Sequence, residues 1–300
     1  IGTATVVAEN NTTLTGVSAT GSIGTATVSG SHSTTLTSVS ATGSIGTATV
    51  VAKANITLTG VSATGDIGTA TVSGNHSTTL TGVSATGSIG TATITAKANI
   101  TLSGVTGAAT LGVVTAGSVT PVQVTGVSAS GSIGVVMVVG AQNTNVNGVS
   151  ASASANTVTV SGKANFSITG VSATGSIGTV IVTARANATL SGLTGAAAIG
   201  TATVSGSHST TLTGVSATGD IGTVTTTVAQ NVALSGVTGA AAIGTATVSG
   251  KSNTTLTGVS ATGSIGTAIT EHTTIAILTG VSATGSVGTL DATGLANITL

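Results

Sequence analysis

The sequence predicts an all-β protein, a parallel β-helix (β-solenoid) of 22-residue coils, about 13–14 of them over residues 1–300, with three short strands per coil. Three observations carry this. The first is register: the glycine of Ile-Gly-Thr recurs as Gly2, Gly24, Gly46, Gly68, Gly90, Gly112, Gly134, Gly178, Gly200, Gly222, Gly244, Gly266 and Gly288, always a multiple of 22 apart, with Asn156 in the one vacancy. No insertion or deletion shifts that frame. The second is an alternation of apolar and hydroxyl residues, the period of a strand. The third is composition: 45 Gly, one Phe, no Trp or Tyr and only ten acidic or basic residues leave Ile, Val and Leu to fill a thin, layered core.

Numbered from Ile1, one repeat reads Ile-Gly-Thr-Ala-Thr-Val-Ser-Gly-Lys-Ala-Asn-Ile-Thr-Leu-Thr-Gly-Val-Ser-Ala-Thr-Gly-Ser. The first arm is exemplified by Thr25-Ala26-Thr27-Val28, which alternates small apolar with hydroxyl residues. Thr57-Leu58-Thr59 forms the second, and Val61-Ser62-Ala63-Thr64 the third, after a one-residue phase shift at Gly60. Glycines near positions 2, 8, 16 and 21 separate the arms and are expected to form the corners. Position 1 is Ile except at Leu111, Ala155 and Val287, position 14 is always Leu, Val or Ile, and position 17 is Val except at Leu193. These rows are expected to point inward. Positions 3, 5, 13, 15, 18 and 20, mostly Thr or Ser, are expected to point outward. Stacking would place Leu14 on Leu36 about 4.8 Å away and build a rod on the order of 65 Å long. A meander of hairpins is the alternative, disfavoured because hairpin repeats tolerate variable turns. Residues 1–300 are expected to form one continuous array, degenerate at about 111–160, where Pro121 and Asn156 interrupt the rows. The chain opens and closes in mid-phrase, at Ile1 and Leu300, and is expected to be a piece of a longer fibre.

Composition excludes several functions. Five Lys and Arg balance five Asp and Glu, so no basic stripe is available to neutralise phosphates, and nucleic-acid binding is not expected. No run of eighteen apolar residues marks a membrane span. Without Cys there are no disulfides or thiolate metal sites. Disorder is excluded by the wealth of β-branched residues and the scarcity of charge.

The polar rows are the candidate sites. Lys53, Lys97, Lys163, Arg185 and Lys251 share position 9 with Glu9, either a charged seam for a partner or a solvated corner. Asp66 and Asp220 occupy position 22 at another corner. His32, His76 and His208 share position 10, and even the closest pair lies two coils, about 9.6 Å, apart along the stack, too far to share one zinc ion. Asn recurs at position 11, and Asn11, Asn55, Asn99, Asn165, Asn187, Asn253 and Asn297 match the N-glycosylation acceptor. An Asn ladder, its amides hydrogen-bonded up and down a tight corner, explains the same row without sugar. Thr-x-Thr triplets such as Thr3-Ala4-Thr5, Thr47-Ala48-Thr49 and Thr245-Ala246-Thr247 resemble the ranks on ice-binding β-solenoids, although Val113, Val135, Met137, Ile181 and Ile269 break them. No insertion offers a loop on which to build an active site, and Asp66 and Asp220 lie seven coils apart. The expectation is no enzyme, no catalytic or metal-binding residue and no cofactor.

The phrases Gly-Val-Ser-Ala-Thr-Gly-Ser-Ile-Gly-Thr-Ala-Thr-Val (16–28) and Leu-Thr-Gly-Val-Ser-Ala-Thr-Gly (80–87) resemble the repeats in virion-associated proteins of marine tailed phages. The resemblance covers nearly the whole chain and fades between about 111 and 160. It implies a structural or fibre-like virion component and brings no catalytic residue. The expected role is a virion or extracellular shaft acting as a rigid spacer, with a bacterial surface adhesin or self-assembling filament as the alternative and ice binding as a further one. Self-association, lateral or end to end, is the expected partnership, because so little charge opposes it. Any receptor would be met through flanking segments.

Overall fold

The computed structural model describes residues 2–271 and 275–293, and the backbone alone of 296–299. It is an all-β parallel solenoid of about 13 coils spaced 22 residues apart. No helix occurs among the described residues. The chain divides into two compact units, Ile1–Ser152 and Ala153–Leu300, with the same coil plan in each.

In the first unit the opening coils supply β1 (Thr3–Ala8), β2 (Thr12–Ala19), β3 (Ile23–Gly30), β4 (Thr34–Ala41), β5 (Ile45–Ala52) and β6 (Ile56–Ala63). Odd strands pair with odd and even with even, always in parallel, giving two sheets. The register is one whole repeat: Leu14 faces Leu36, and Ile23 faces Ile45. The predicted stacking of like on like is therefore observed. Through the degenerate stretch of this unit the frame holds, with strands Leu111–Ser118, Val122–Ala129, Ile133–Gly140 and Thr144–Ala151.

The expected three strands per coil are two, each usually eight residues long, with two corners between them. The sequence reading placed a corner at Gly60, where the inward phase shifts. The shift is real, but it lies within β6: Ile56 and Leu58 are buried, Gly60 is exposed, and Val61 and Ala63 are buried again. Gly60 has φ +67°, a left-handed residue that turns the next side chain to the other face while the ladder continues on both sides. A second phase shift lies in the odd strands, where burial passes from Ile45 to Ala48 across Gly46 and Thr47. Here φ is not in the left-handed region. What position 2 requires is closeness, since a Cβ on Gly46 would come 2.5 Å from the carbonyl oxygen of Gly24.

Each coil thus directs eight residues inward, four from each sheet, for example Ile45, Ala48, Val50 and Ala52 against Ile56, Leu58, Val61 and Ala63. Burying a side chain such as Leu58 is worth about 1.5–3 kcal/mol. Neighbouring coils cover it above and below, which is why one coil has no stability alone. The expected rows 1, 14 and 17 are all inward, and the Thr rows at 3, 5, 13 and 15 all face out. Rows 4, 6, 8, 12 and 19 complete the core, with Ile56 and Ile100 alternating with Thr34 and Thr78 at position 12.

Candidate functional site

Two outer faces and two corners are the surfaces on which any function must be built. Position 22 corners are closed by side chains that accept a hydrogen bond from the backbone N–H of the same position one coil later. Ser44 N donates to Ser22 Oγ (3.2 Å), Asp66 N to Ser44 Oγ (3.2 Å) and Ser88 N to Asp66 Oδ1 (2.7 Å). In the second unit Ala242 N donates to Asp220 Oδ1 (3.1 Å). Asp66 and Asp220 are therefore brackets between coils rather than idle solvated charges. Beside them the Thr42, Thr64 and Thr86 hydroxyls donate to the Thr carbonyl one coil back.

The corner at positions 9–11 uses the Asn row in the same way. Ser33 N donates to Asn11 Oδ1 (3.1 Å), Ser77 N to Asn55 Oδ1 (3.2 Å), Asn187 N to Asn165 Oδ1 (3.4 Å) and Ser209 N to Asn187 Oδ1 (3.2 Å). The expected ladder exists with a different donor. The donor in these pairs is the backbone N–H, which recurs in every coil except at Pro121 and bridges the row both where Ser alternates with Asn, from Asn11 to Asn99, and where Asn165 and Asn187 stand on consecutive coils. Asn11, Asn55, Asn99, Asn165, Asn187 and Asn253 are exposed at this corner, whereas the side chain of Asn297 lies outside the described residues.

Lys53, Lys97, Lys163, Arg185, Lys251 and Glu9 are all exposed at position 9, and His32, His76 and His208 are exposed beside them. His32 Nδ1 lies 2.9 Å from the Glu9 carbonyl oxygen. Among the described residues no group of three or more His, Asp or Glu is gathered as metal ligands. Every Lys and Arg of the chain is thus at the position 9 corner of its own unit, while Asp66 and Asp220 are at the position 22 corner of theirs.

The sequence reading missed a double period at this corner. Coils 2 to 5 (residues 23–110) run Gly30-Ser31-His32, Ala52-Lys53-Ala54, Gly74-Asn75-His76 and Ala96-Lys97-Ala98, so the true repeat here is two coils. Packing accounts for it at Gly74, where a Cβ would lie 2.9 Å from Ile56 Cδ1 and 2.8 Å from Thr78 Oγ1, so the large Ile of one coil leans over the glycine of the next. At Gly30 the coil before carries Thr12, and the crowding comes from Thr34 Oγ1 of its own coil. The signal was legible in the alternation of Ile and Thr at position 12.

On the outer face of the odd sheet, Thr3 and Thr5 begin a double rank that continues through Thr25/Thr27, Thr47/Thr49, Thr69/Thr71 and Thr91/Thr93, each in register with the next. The second unit repeats it at Thr201/Thr203, Thr223/Thr225 and Thr245/Thr247. Val113, Val135 and Met137 interrupt it in the first unit, with Met137 and Val139 40% and 42% exposed.

The chain matches no protein-family model, and no curated protein or solved structure is significantly similar to it.

Proposed function

We propose that the chain is a non-enzymatic structural repeat protein, the shaft of a virion appendage, tail fibre or other extracellular fibre, and that it acts as a rigid spacer. The observation that supports this is the uniformity of the connections. Three residues separate Ile45–Ala52 from Ile56–Ala63, and three separate that strand from Ile67–Gly74. Corners this short hold no loop on which a catalytic site is ordinarily built. The strands of interior coils such as Ile45–Ala52 and Ile56–Ala63 are paired with the coils on either side, which suits a stiff spacer that presents something else. The phage resemblance favours a virion origin, and an adhesin or self-assembling filament would use the same physics. Lateral or end-to-end self-association belongs to this proposal.

Trypsin tests the shaft reading sharply. All its cleavage sites are exposed at one corner, yet a bound protease needs an extended segment that these corners cannot release without unpairing two strands. The native chain should survive trypsin that digests a heat-denatured sample. Rapid cleavage at Lys53 or Lys97 in the native chain would overturn the reading.

A second reading is favoured by the double Thr ranks: a hydroxyl lattice spaced by the coil rise, about 4.8 Å, suits ice. The sequence reading counted against it that Thr populates every outward row. Those rows resolve into two outer faces, each with its own adjacent pair, 3/5 and 13/15. Thermal hysteresis at micromolar protein supports ice binding; crystal growth indistinguishable from that in an albumin control leaves the spacer alone.

A further inference from the structure

We propose that the corner of coils 2–5 binds a linear acidic glycan carrying one carboxylate on every second ring. This goes beyond the spacer reading and does not rest on it. A shallow groove of about 340 Å³ runs beside this corner from coil 1 to coil 4, its lining including Val7, Ser29, Val51, Lys53, Ser73 and Asn75, and Lys97 continues the corner one coil beyond it. It crosses coil after coil, so an occupant that follows it must be extended and periodic.

The two-coil alternation sets the occupant's chemistry. Even coils offer Ser29, Ser31 and His32, then Ser73, Asn75 and His76: hydroxyl, amide and imidazole groups over a low glycine floor. Odd coils offer Val51 and Lys53, then Thr95 and Lys97. Val51 is 43% exposed, an apolar platform for the C–H face of a sugar ring, and the Lys53 ammonium beside it is a point charge suited to a carboxylate. A pyranose ring in an extended chain advances by roughly the rise of one coil, about 4.8 Å. Lys53 and Lys97 therefore meet every second ring, about 9.6 Å apart. A nucleic-acid strand, with a phosphate about every 3.4 Å, carries far more charge than this corner neutralises.

The residues at either end bound the site. Position 9 holds Glu9 in the coil before and Val119 in the coil after, so the matched window is four coils and four rings. In the second unit Lys163 and Arg185 stand on consecutive coils and lack the alternation, which makes them the control.

The test is calorimetric titration of the full chain with hyaluronan fragments, in which uronate alternates with an N-acetylated sugar. The tetrasaccharide should bind saturably, the disaccharide at least about tenfold more weakly, and binding should weaken as salt rises from about 0.05 to about 0.5 M. K53Q/K97Q should lose at least about tenfold in affinity with an unchanged circular dichroism spectrum, while K163Q/R185Q should keep it. The proposal is overturned if no fragment binds saturably, if K53Q/K97Q binds as the parent does, or if single-stranded DNA or neutral dextran of similar length binds as tightly. None of these failures bears on trypsin resistance, so the spacer reading stands or falls separately.

Discussion

In every coil but those of Ser38 and Asn156 both strands reset their inward phase at a glycine, and the two glycines serve different physics. In the odd strands the position 2 glycine has an ordinary φ but no room: a Cβ on Gly68 would lie 2.6 Å from the Gly46 carbonyl oxygen and 3.5 Å from its carbon. In the even strands the position 16 glycine has room but a left-handed φ, +66° at Gly82, where the nearest atom to an added Cβ is 3.6 Å away. One residue type in two equally strict rows thus reports a packing constraint in one sheet and a torsional constraint in the other. Substitution separates them, because the first sets a side chain against the main chain of the neighbouring coil, a clash accommodated only at Asn156, and the second only disfavours one.

The largest effect is expected where backbone meets backbone. Gly68→Ala should cost about 3 kcal/mol, the upper part of the overpacking range, because the obstructing atom belongs to the neighbouring coil's main chain and cannot rotate away. Urea denaturation should show the loss as a lower midpoint at unchanged slope. A cost below about 1 kcal/mol would mean that the coil rise expands locally, and the contrast between the rows would collapse.

Most of the fold was legible because stacking writes each contact into the sequence as identity at a spacing of 22. Leu14, Leu36 and Leu58 declare their mutual contact with no further information. What period-two reasoning could not see was the left-handed Gly60 inside β6, since a phase shift in a strand and a corner between strands leave the same trace in side-chain alternation. The candidate surfaces were legible in part. The rows of Lys, His and Asn were plain, but the backbone N–H that Asn55 and Asp66 accept from is invisible in a string of side chains. The alternating core behind the basic corner is written at position 12, a row that side-chain type alone gives no facing because Ile and Thr share it.

Position 8 offers a third kind of glycine with which to sharpen the comparison. Around Gly74 the nearest atoms are Thr78 Oγ1 at 2.8 Å and Ile56 Cδ1 at 2.9 Å, the ends of side chains rather than backbone. Gly74→Ala should therefore cost about 1–2 kcal/mol, less than Gly68→Ala, because a rotamer can yield. Ile56→Val removes the offending Cδ1 and alone should cost about 0.5–1.5 kcal/mol. Combined, the two should cost less than their sum by at least about 0.5 kcal/mol. Strict additivity would show that Ile56 does not hold this coil pair together, and the double period at the corner would need another cause.

The smallest effect should have the opposite sign. Ser38 is the one described residue other than glycine with positive φ, +67°, and it occupies position 16, where the coils before and after it carry Gly16 and Gly60. Holding an L-residue in the left-handed region costs about 1–2 kcal/mol. Glycine removes that strain but gives up about 0.5–1 kcal/mol through the greater freedom of its unfolded chain. The difference favours Ser38→Gly by about 0.5–1 kcal/mol, since nothing else is lost: the Ser38 side chain is exposed, and a Cβ in this row meets no atom closer than ordinary contact. A rise in the urea midpoint for Ser38→Gly, set against the fall for Gly68→Ala, would show the even-strand kink governed by torsion and the odd-strand kink by space. If Ser38→Gly destabilises instead, the serine has a stabilising role that outweighs its strained backbone, and position 16 is not a purely conformational row.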